Sequence, residues 1–421
     1  MTQADEVVGR SGNGMGGPLS GLRIIDLSTY VAGPSGTMTL AQLGADVIRI
    51  DPIGGATDTR RLPLAPSGRS LYWLGLNKGK KSIVIDTASP EGRELVTALV
   101  AAPGPGSGIF LTNAVGQKWL AYDELRKHRP DLIQVHIGGR SGGKPAVDYT
   151  VNCEVGLPLV TGPEDFERPV NHVLPAWDLL TGLHAAIGVL AAERVRQATG
   201  QGQLVSVALA DVAVAAMAHL GFVADVLVNG RGRLREGNYL YGSFGYDFAT
   251  GDGQHVMIVA LTERHWRNLV ELTGLTDAIV ALEEALKVDL DAEEVRYQYR
   301  EVLAALLRPW FEQRTLEEVT VGLDSSKVLW GPYRTIEQFV TAPDSLLHES
   351  KLMVDIHQPG IGAYPVPRPV LDFSGWDDGP PAPAAEIVGE DTDDVLRALL
   401  GLDDATLLDL RRRSVIGGTP A

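Results

Sequence analysis

LSGLRIIDLSTYVAGPSGTMTLAQLGADVIRIDP, residues 19–52, decides how the first half of the chain is built. LRIIDLS reads as a short strand, GPSGTMTLAQLGA as a turn and helix, and DVIRID as the next strand. Brief apolar runs separated by a helical pattern point to a βαβ unit. The texture recurs downstream: KSIVID (81–86), GIFLTN (108–113) and LIQVHI (132–137) are strand candidates, with helical segments over 90–101 and 122–129 between them. Parallel strands joined by right-handed crossovers predict an α/β lobe with a Rossmann-like sheet. Gly12-Asn13-Gly14-Met15-Gly16-Gly17 formally fits GxGxxG, but it precedes the first strand. It therefore cannot be the strand-to-helix phosphate turn which that motif requires.

A helix is expected from about Leu179 to Ala198, stopped by Gly200 and Gly202. QLVSVALADVAVAAMAH then reads as a strand leading into a helix, and the apolar run Val212–Val228 as a buried helix rather than a membrane span. Near Gly230 the pattern changes to turns and strands, with Gly251-Asp252-Gly253 as a hairpin turn. Residues 262–340 read as mostly helical. These changes predict a flexible tail over 1–20, a large α/β domain over 21–227 and 329–421, and a smaller α+β domain over 228–328. A chain of 421 residues is long enough for two such cores.

Composition narrows the function. The formal net charge of −16 argues against nucleic acid or an anionic membrane surface as partner. One cysteine, Cys153, excludes an internal disulfide framework and a thiolate metal cluster, which fits the cytoplasm; it reads as a small buried hydrophobe. No HExxH and no GxxxxGK[ST] occurs. No metal is expected.

The most informative acid is Asp178, in PAWDLLTGLHAAIG (175–188), at the head of the long helical pattern. Two readings stand together. Aspartate caps helices by accepting an unpaired backbone N–H, and a carboxylate at a helix start is also placed for nucleophilic work. His172 and His184 flank it at no recognisable metal spacing. Asn77-Lys78-Gly79-Lys80-Lys81-Ser82 sets three lysines at the entry to a strand. They read either as a phosphate-facing loop or as a solvated one.

Together these segments resemble the class III CoA-transferases. The resemblance runs through residues 19–52, LNKGKKSIVIDTASPEGREL (76–95), DLLTGLHAAIGVLAAERVRQATGQGQLVSVAL (178–209) and VGEDTDDVLRALLGL (388–402). It implies an interlocked homodimer, an acyl-CoA substrate and no cofactor beyond the CoA moiety. It assigns Asp178 as catalytic, and places Arg49, Asn77, Lys80, Lys81 and Asn113 near the CoA. Tyr30, Val31, His172, Gly242 and Gly245 become candidates for the substrate loops, with 241–246 either a lid or an ordinary packed hairpin. His172, Arg60 and Arg61 are the candidates to grip a second carboxylate. Racemases of the family pair the aspartate with a histidine where this chain has Ala146 and Val147. A two-base proton transfer thus lacks one base. A closer resemblance within the family runs through DPIGGATDTRR (51–61), VDYTVN (147–152), VNHVLPAWDLLTG (170–182) and GNYLYGSFGYDF (237–248), and it implies transfer of CoA between the C1 and C4 carboxyls of one mesaconyl unit, 2-methylfumaryl-CoA to 3-methylfumaryl-CoA. That activity belongs to the 3-hydroxypropionate cycle. Intermolecular transfer to another dicarboxylate is the alternative.

Overall fold

The computed structural model describes residues 16–376 and 379–418. The chain is a mixed α/β protein that divides into two compact units. One comprises the described residues up to Val155 together with His172–Asn229 and the chain from Ser350 onward; the other comprises Gly156–Asn171 and Gly230–Glu349.

The first unit is built on six strands: β1 (Arg23–Leu27), β2 (Asp46–Asp51), β3 (Lys81–Val84), β4 (Ile109–Thr112), β5 (Ile133–Gly138) and β6 (Leu204–Ala208). They lie in the order β3-β2-β1-β4-β5-β6 and every pairing is parallel. Neighbouring residues of a strand serve opposite faces, as the pleat requires. Ile24 and Ile109 join one core with Leu40, Ala185 and Val189. Ile25 and Phe110 join the other with Val96, Leu396 and Leu410. Helices α1 (Ala32–Gln42) and α7 (Ala176–Thr199) supply the first layer. The second layer draws on α3 (Pro90–Ala101) and the C-terminal α17 (Thr392–Leu400) and α18 (Asp404–Arg412). Shorter helices α2 (Leu71–Leu76), α4 (Tyr122–Leu125) and α5 (Asp148–Glu154) lie in the connections. Burial on both faces accounts for the apolar run Ile109-Phe110-Leu111 in β4.

Helices α1 and α7 meet backbone to backbone at Gly36 and Gly182, with the Ser35 hydroxyl packed against Gly182. A Cβ at Gly36 would come within 2.5 Å of the Gly182 carbonyl oxygen, and one at Gly182 within 2.6 Å of the Ala32 carbonyl oxygen. Only glycine permits that approach. Helix α7 ends at Gly200, whose φ of 73° is the left-handed stop expected of it.

The second unit contains α6 (Leu157–Val160) and an antiparallel sheet in the order β7-β8-β9, formed by Phe244–Ala249, His255–Ala260 and Leu329–Pro332. Between β8 and β9 run α10 (Glu263–Thr273), α11 (Thr276–Leu286), α12 (Glu293–Gln298), α13 (Arg300–Glu312) and α14 (Leu316–Ser326). Phe244, Phe248, Trp266, Leu303 and Phe311 centre its core. The turn at 250–253 joins β7 to β8 as expected. Helices α15 (Ile336–Thr341) and α16 (Leu346–Glu349) follow, and the hairpin β10 (Met353–Gln358) and β11 (Gly362–Pro367) then belongs to the first unit.

Several expectations need correction. Because β9 completes the sheet of the second unit, the chain rejoins the first unit at Ser350 rather than at 329. Residues 156–171, read as part of the large domain, cluster with the second unit. Of the expected tail 1–20, residues 1–15 lie outside the described residues. The rest is anchored, with Leu19 N–H donating to the Leu43 carbonyl at 3.0 Å and its side chain packed on the first core. Residues 212–228 form no single buried helix. The chain breaks by 57° between α8 (Leu209–His219) and α9 (Phe222–Asn229), and no residue of α9 is buried. No single helix among the described residues is long and apolar enough to cross a membrane. Cys153 is exposed, its thiol donating to the Tyr149 carbonyl at 3.2 Å.

Candidate active site

Asp178 occupies the first turn of α7 without capping it. The cap comes from a different element. Asp148 Oδ2, on α5, accepts the Trp177 backbone N–H at 2.7 Å and the Asp178 backbone N–H at 3.1 Å. A buried carboxylate thus satisfies two of the unpaired donors at the start of α7 and meets the positive end of its dipole. The Trp177 indole N–H donates to Asn152 Oδ1 at 3.2 Å, tying α5 and α7 a second time.

This arrangement leaves the Asp178 side chain unused by the fold. Among the described residues its carboxylate accepts no hydrogen bond. Burial and then the neighbouring Asp148 push its pKa up to about 6, while Arg61 pulls it down. A partly desolvated carboxylate of that kind is a better nucleophile than one in water and is ionised near neutral pH.

Arg61 follows the short helical turn Thr57–Arg60. Its guanidinium lies 5.8 Å from the Tyr30 ring centroid and 5.1 Å from that of Tyr72. Tyr72, on α2, has a hydroxyl shielded from solvent with no partner among the described residues. Burial pushes its pKa up to about 12; Arg61 opposes that shift, whereas Asp178 and Asp58 add to it. An unpaired buried hydroxyl costs roughly 1–3 kcal/mol. Tyr30 itself has φ of 70°, unusual for a side-chain-bearing residue, and its N–H donates to Asp58 Oδ2 at 3.0 Å.

The basic residues expected at the CoA are placed differently. Arg49 is fully buried. It donates to both oxygens of Asp51 at 2.9 and 3.0 Å, to both of Asp58 at 2.9 and 3.0 Å, and to Asn77 Oδ1 at 3.1 Å. Burial opposes its charge, but Asp51 and then Asp58 outweigh that and hold it firmly protonated. Lys80 Nζ donates to Asp26 at 3.1 Å, the Pro34 carbonyl at 2.9 Å and Asn77 Oδ1 at 2.8 Å. Arg49, Asn77 and Lys80 therefore knit β1, β2 and the loop before β3 together, with no donor of Lys80 left for a phosphate. Of the three, Asn77 completes the web with its amide donating to the Trp73 carbonyl at 2.8 Å. Lys81 is exposed and pairs with Asp46 at 2.7 Å.

Asn113 sits at the end of β4 and exchanges two hydrogen bonds with the Thr29 backbone, at 3.2 and 3.0 Å. Both residues line a cleft of about 360 Å³ with Ser28, Tyr30, Gln117 and Trp119. The cleft opens at the carboxyl ends of β1 and β4, where the strand order reverses direction. Ligands of open parallel sheets bind at such switch points.

The remaining candidates scatter. Val31 is buried just before α1. Both ring nitrogens of His172 are shielded without partners among the described residues. Arg60 is exposed and donates to the Gly54 carbonyl at 3.4 Å. Gly242 and Gly245 belong to the second unit, and Gly245 already lies in β7 paired with Val259. The segment 241–246 is thus half strand, with Phe244 fully buried in its own unit's core. Sequence reading passed over Asp148 as a partner of Asp178, and Tyr72 altogether. Thirty residues separate the two aspartates, so no local spacing links them; Tyr72 lies in an apolar run that reads as packing.

A parallel sheet with a switch-point cleft and an aspartate without a hydrogen-bond partner are the site features of an α/β protein that binds a ligand at the carboxyl ends of its strands. The chain belongs to the CoA-transferase family III, whose model matches residues 19–392, and it is an enzyme of that family. It is 49% identical over 96% of its length to 2-methylfumaryl-CoA isomerase of Chloroflexus aurantiacus, covering 99% of that protein. It is 31% identical over 82% of its length to succinyl-CoA:mesaconate CoA-transferase of Haloarcula hispanica, covering 87%. Among solved structures it resembles a CAIB/BAIF family protein from Brucella suis, with a TM-score of 0.74 and 25% identity over 91% of this chain and 100% of that one.

Proposed function

We propose that the enzyme moves CoA between the two carboxyl groups of one mesaconyl unit, converting 2-methylfumaryl-CoA to 3-methylfumaryl-CoA. The observation that carries the mechanism is the free Asp178 carboxylate, held at the head of α7 by a cap supplied from Asp148. The similarity to the Chloroflexus aurantiacus isomerase supports the substrate. Asp178 attacks the C1 thioester carbonyl and expels CoA thiolate, forming a mixed anhydride. The thiolate attacks the aspartyl carbonyl of that anhydride, which gives an aspartyl-CoA thioester and free mesaconate. The C4 carboxylate then attacks the aspartyl thioester and expels thiolate again. Attack of that thiolate on the new mesaconyl carbonyl yields the C4 thioester and regenerates Asp178. Retaining the diacid makes the second half effectively intramolecular.

The CoA moiety occupies the cleft at β1 and β4 in this reading, and no other cofactor takes part. The assembly is a homodimer, supported by exposed apolar side chains on and between α8 and α9 such as Val214, Leu220, Val226 and Leu227. A cytoplasmic setting fits the single cysteine, and a place in the 3-hydroxypropionate cycle goes with the substrate.

The test incubates the protein with 2-methylfumaryl-CoA and excess isotopically labelled mesaconate, then resolves the thioesters by chromatography and mass. Unlabelled 3-methylfumaryl-CoA is the expected product. Labelled thioester would mean that free acids enter, the behaviour of an intermolecular transferase such as the Haloarcula relative's name describes.

A further inference from the structure

We propose that Arg61 and the Tyr72 hydroxyl form the subsite for whichever carboxylate of the substrate is not joined to CoA. The inference deepens the proposed isomerase reading and rests on it. Three observations support it. First, the Arg61 guanidinium makes no ion pair or hydrogen bond among the described residues, yet it is close enough to Asp178 to lower its pKa. Second, it lies over two aromatic rings, 5.8 Å from the Tyr30 centroid and 5.1 Å from that of Tyr72, contacts that leave its N–H donors unused. Third, the Tyr72 hydroxyl is buried beside it with nothing to bind. A carboxylate can accept two parallel N–H bonds from a guanidinium and a further O–H bond from a phenol. One such ligand would satisfy both groups.

The other cations do not fit. Arg49 and Lys80 are consumed by internal carboxylates, carbonyls and Asn77. Arg60 turns to the Gly54 carbonyl. His172 has unpartnered ring nitrogens, but no interaction ties it to Asp178.

The chemistry adds a requirement. The carboxyls of mesaconate lie at opposite ends of a rigid trans double bond. Once the C1 end has left as a free carboxylate, the diacid must turn end for end to offer C4 to the aspartyl thioester. Arg61 therefore holds the C4 carboxylate during the first half and the C1 carboxylate during the second. A guanidinium fork suits that task, because it reads the carboxylate and ignores which end bears the methyl group.

The test uses the full chain, Arg61→Gln and Tyr72→Phe. Two quantities are read: the fraction of labelled thioester formed with excess labelled mesaconate, and the ratio of kcat/KM for 2-methylfumaryl-CoA to that for crotonyl-CoA. The second thioester lacks the distal carboxylate, and its attack by Asp178 is followed as CoA released in the presence of hydroxylamine. Any general effect of Arg61 on Asp178 acts on both substrates and cancels in the ratio. The ratio should fall at least tenfold in Arg61→Gln and about threefold in Tyr72→Phe, and the labelled fraction should rise in both. If Arg61→Gln melts early, Arg61→Lys keeps the charge without the fork and is read by the same ratio, with a smaller drop. An active wild type whose ratio and labelled fraction are unchanged in these variants overturns the subsite alone. A wild type that releases no CoA from any acyl-CoA with hydroxylamine overturns the transferase mechanism and the subsite together.

Discussion

Two clusters of charge lie in the same α/β unit and are organised in opposite ways. Around Arg49, every charged group has found its partner: Asp51, Asp58, Lys80 and Asp26, joined through the neutral Asn77 amide, form a closed web with no exposed charge. Around Asp178, the groups face one another without closing. Its carboxylate, the Arg61 guanidinium and the Tyr72 hydroxyl each lack a hydrogen-bond partner among the described residues. The first pattern is what a fold needs, since an unpaired buried charge is costly. The second is what a ligand needs, since groups already satisfied have little to offer it. Lysines and arginines that look alike in the sequence are thus divided by their company.

The sharpest way to break the contrast is Asp178→Asn. Turnover should fall by at least about 10⁴-fold, because the nucleophile is removed. The fold should not suffer. A carboxyl whose folded pKa is raised favours the native state when protonated and loses that contribution as pH rises through about 6. Above pH 7 the asparagine variant should therefore be more stable than wild type by about 1–2 kcal/mol, read from urea unfolding. A variant that is inactive and also destabilised would put Asp178 with the structural web instead. The opposite behaviour is expected of Arg49→Met. Losing the cation strands Asp51 and Asp58 in the interior, and stability should drop by about 3–5 kcal/mol, again read from denaturant midpoints.

A third test sharpens the electrostatics. Since the ionised form of Asp178 is the nucleophile and its pKa is about 6, kcat/KM should be level above about pH 7 and fall with acid. The slope should approach tenfold per pH unit well below 6. The smallest effect belongs to Asp148. Asp148→Asn retains an acceptor for the α7 backbone but removes the charge beside Asp178, so the pH midpoint should move to lower pH. Asp148→Ala removes the cap as well and should cost about 1–2 kcal/mol of stability. A midpoint that stays in place in both variants would reduce Asp148 to a cap.

What could be read in the sequence follows from the reach of each interaction. Strand and helix patterns are local, so β1 through β5, α3, α7 and the stop at Gly200 were visible in residue order. The assignment of the C-terminal segment to the large domain holds for α17, whose Val395 and Leu396 pack in the core that contains Ile25 and Phe110. Partnerships across the fold were not legible. The link of Asp148 to α7 joins residues thirty apart, and the saturation of Arg49 depends on where Asp58 comes to lie. Lys80 looked like a phosphate ligand because a lysine run says nothing about burial. Val212–Val228 looked like a core because apolar content was taken for burial, whereas α9 exposes its apolar face in the single chain.

The contact between Gly36 and Gly182 has a further consequence. Gly182 lies one turn along α7 from Asp178, roughly 6 Å by helical rise. The reactive oxygen atoms are therefore positioned from a fulcrum where backbone lies against backbone, and α1 and α7 behave as one beam. A single methyl inserted at that joint would tilt the beam and carry Asp178 with it, at a point that touches no substrate. Tolerance for new acyl groups must then come from the loops around the beam, because the beam itself has no slack to give.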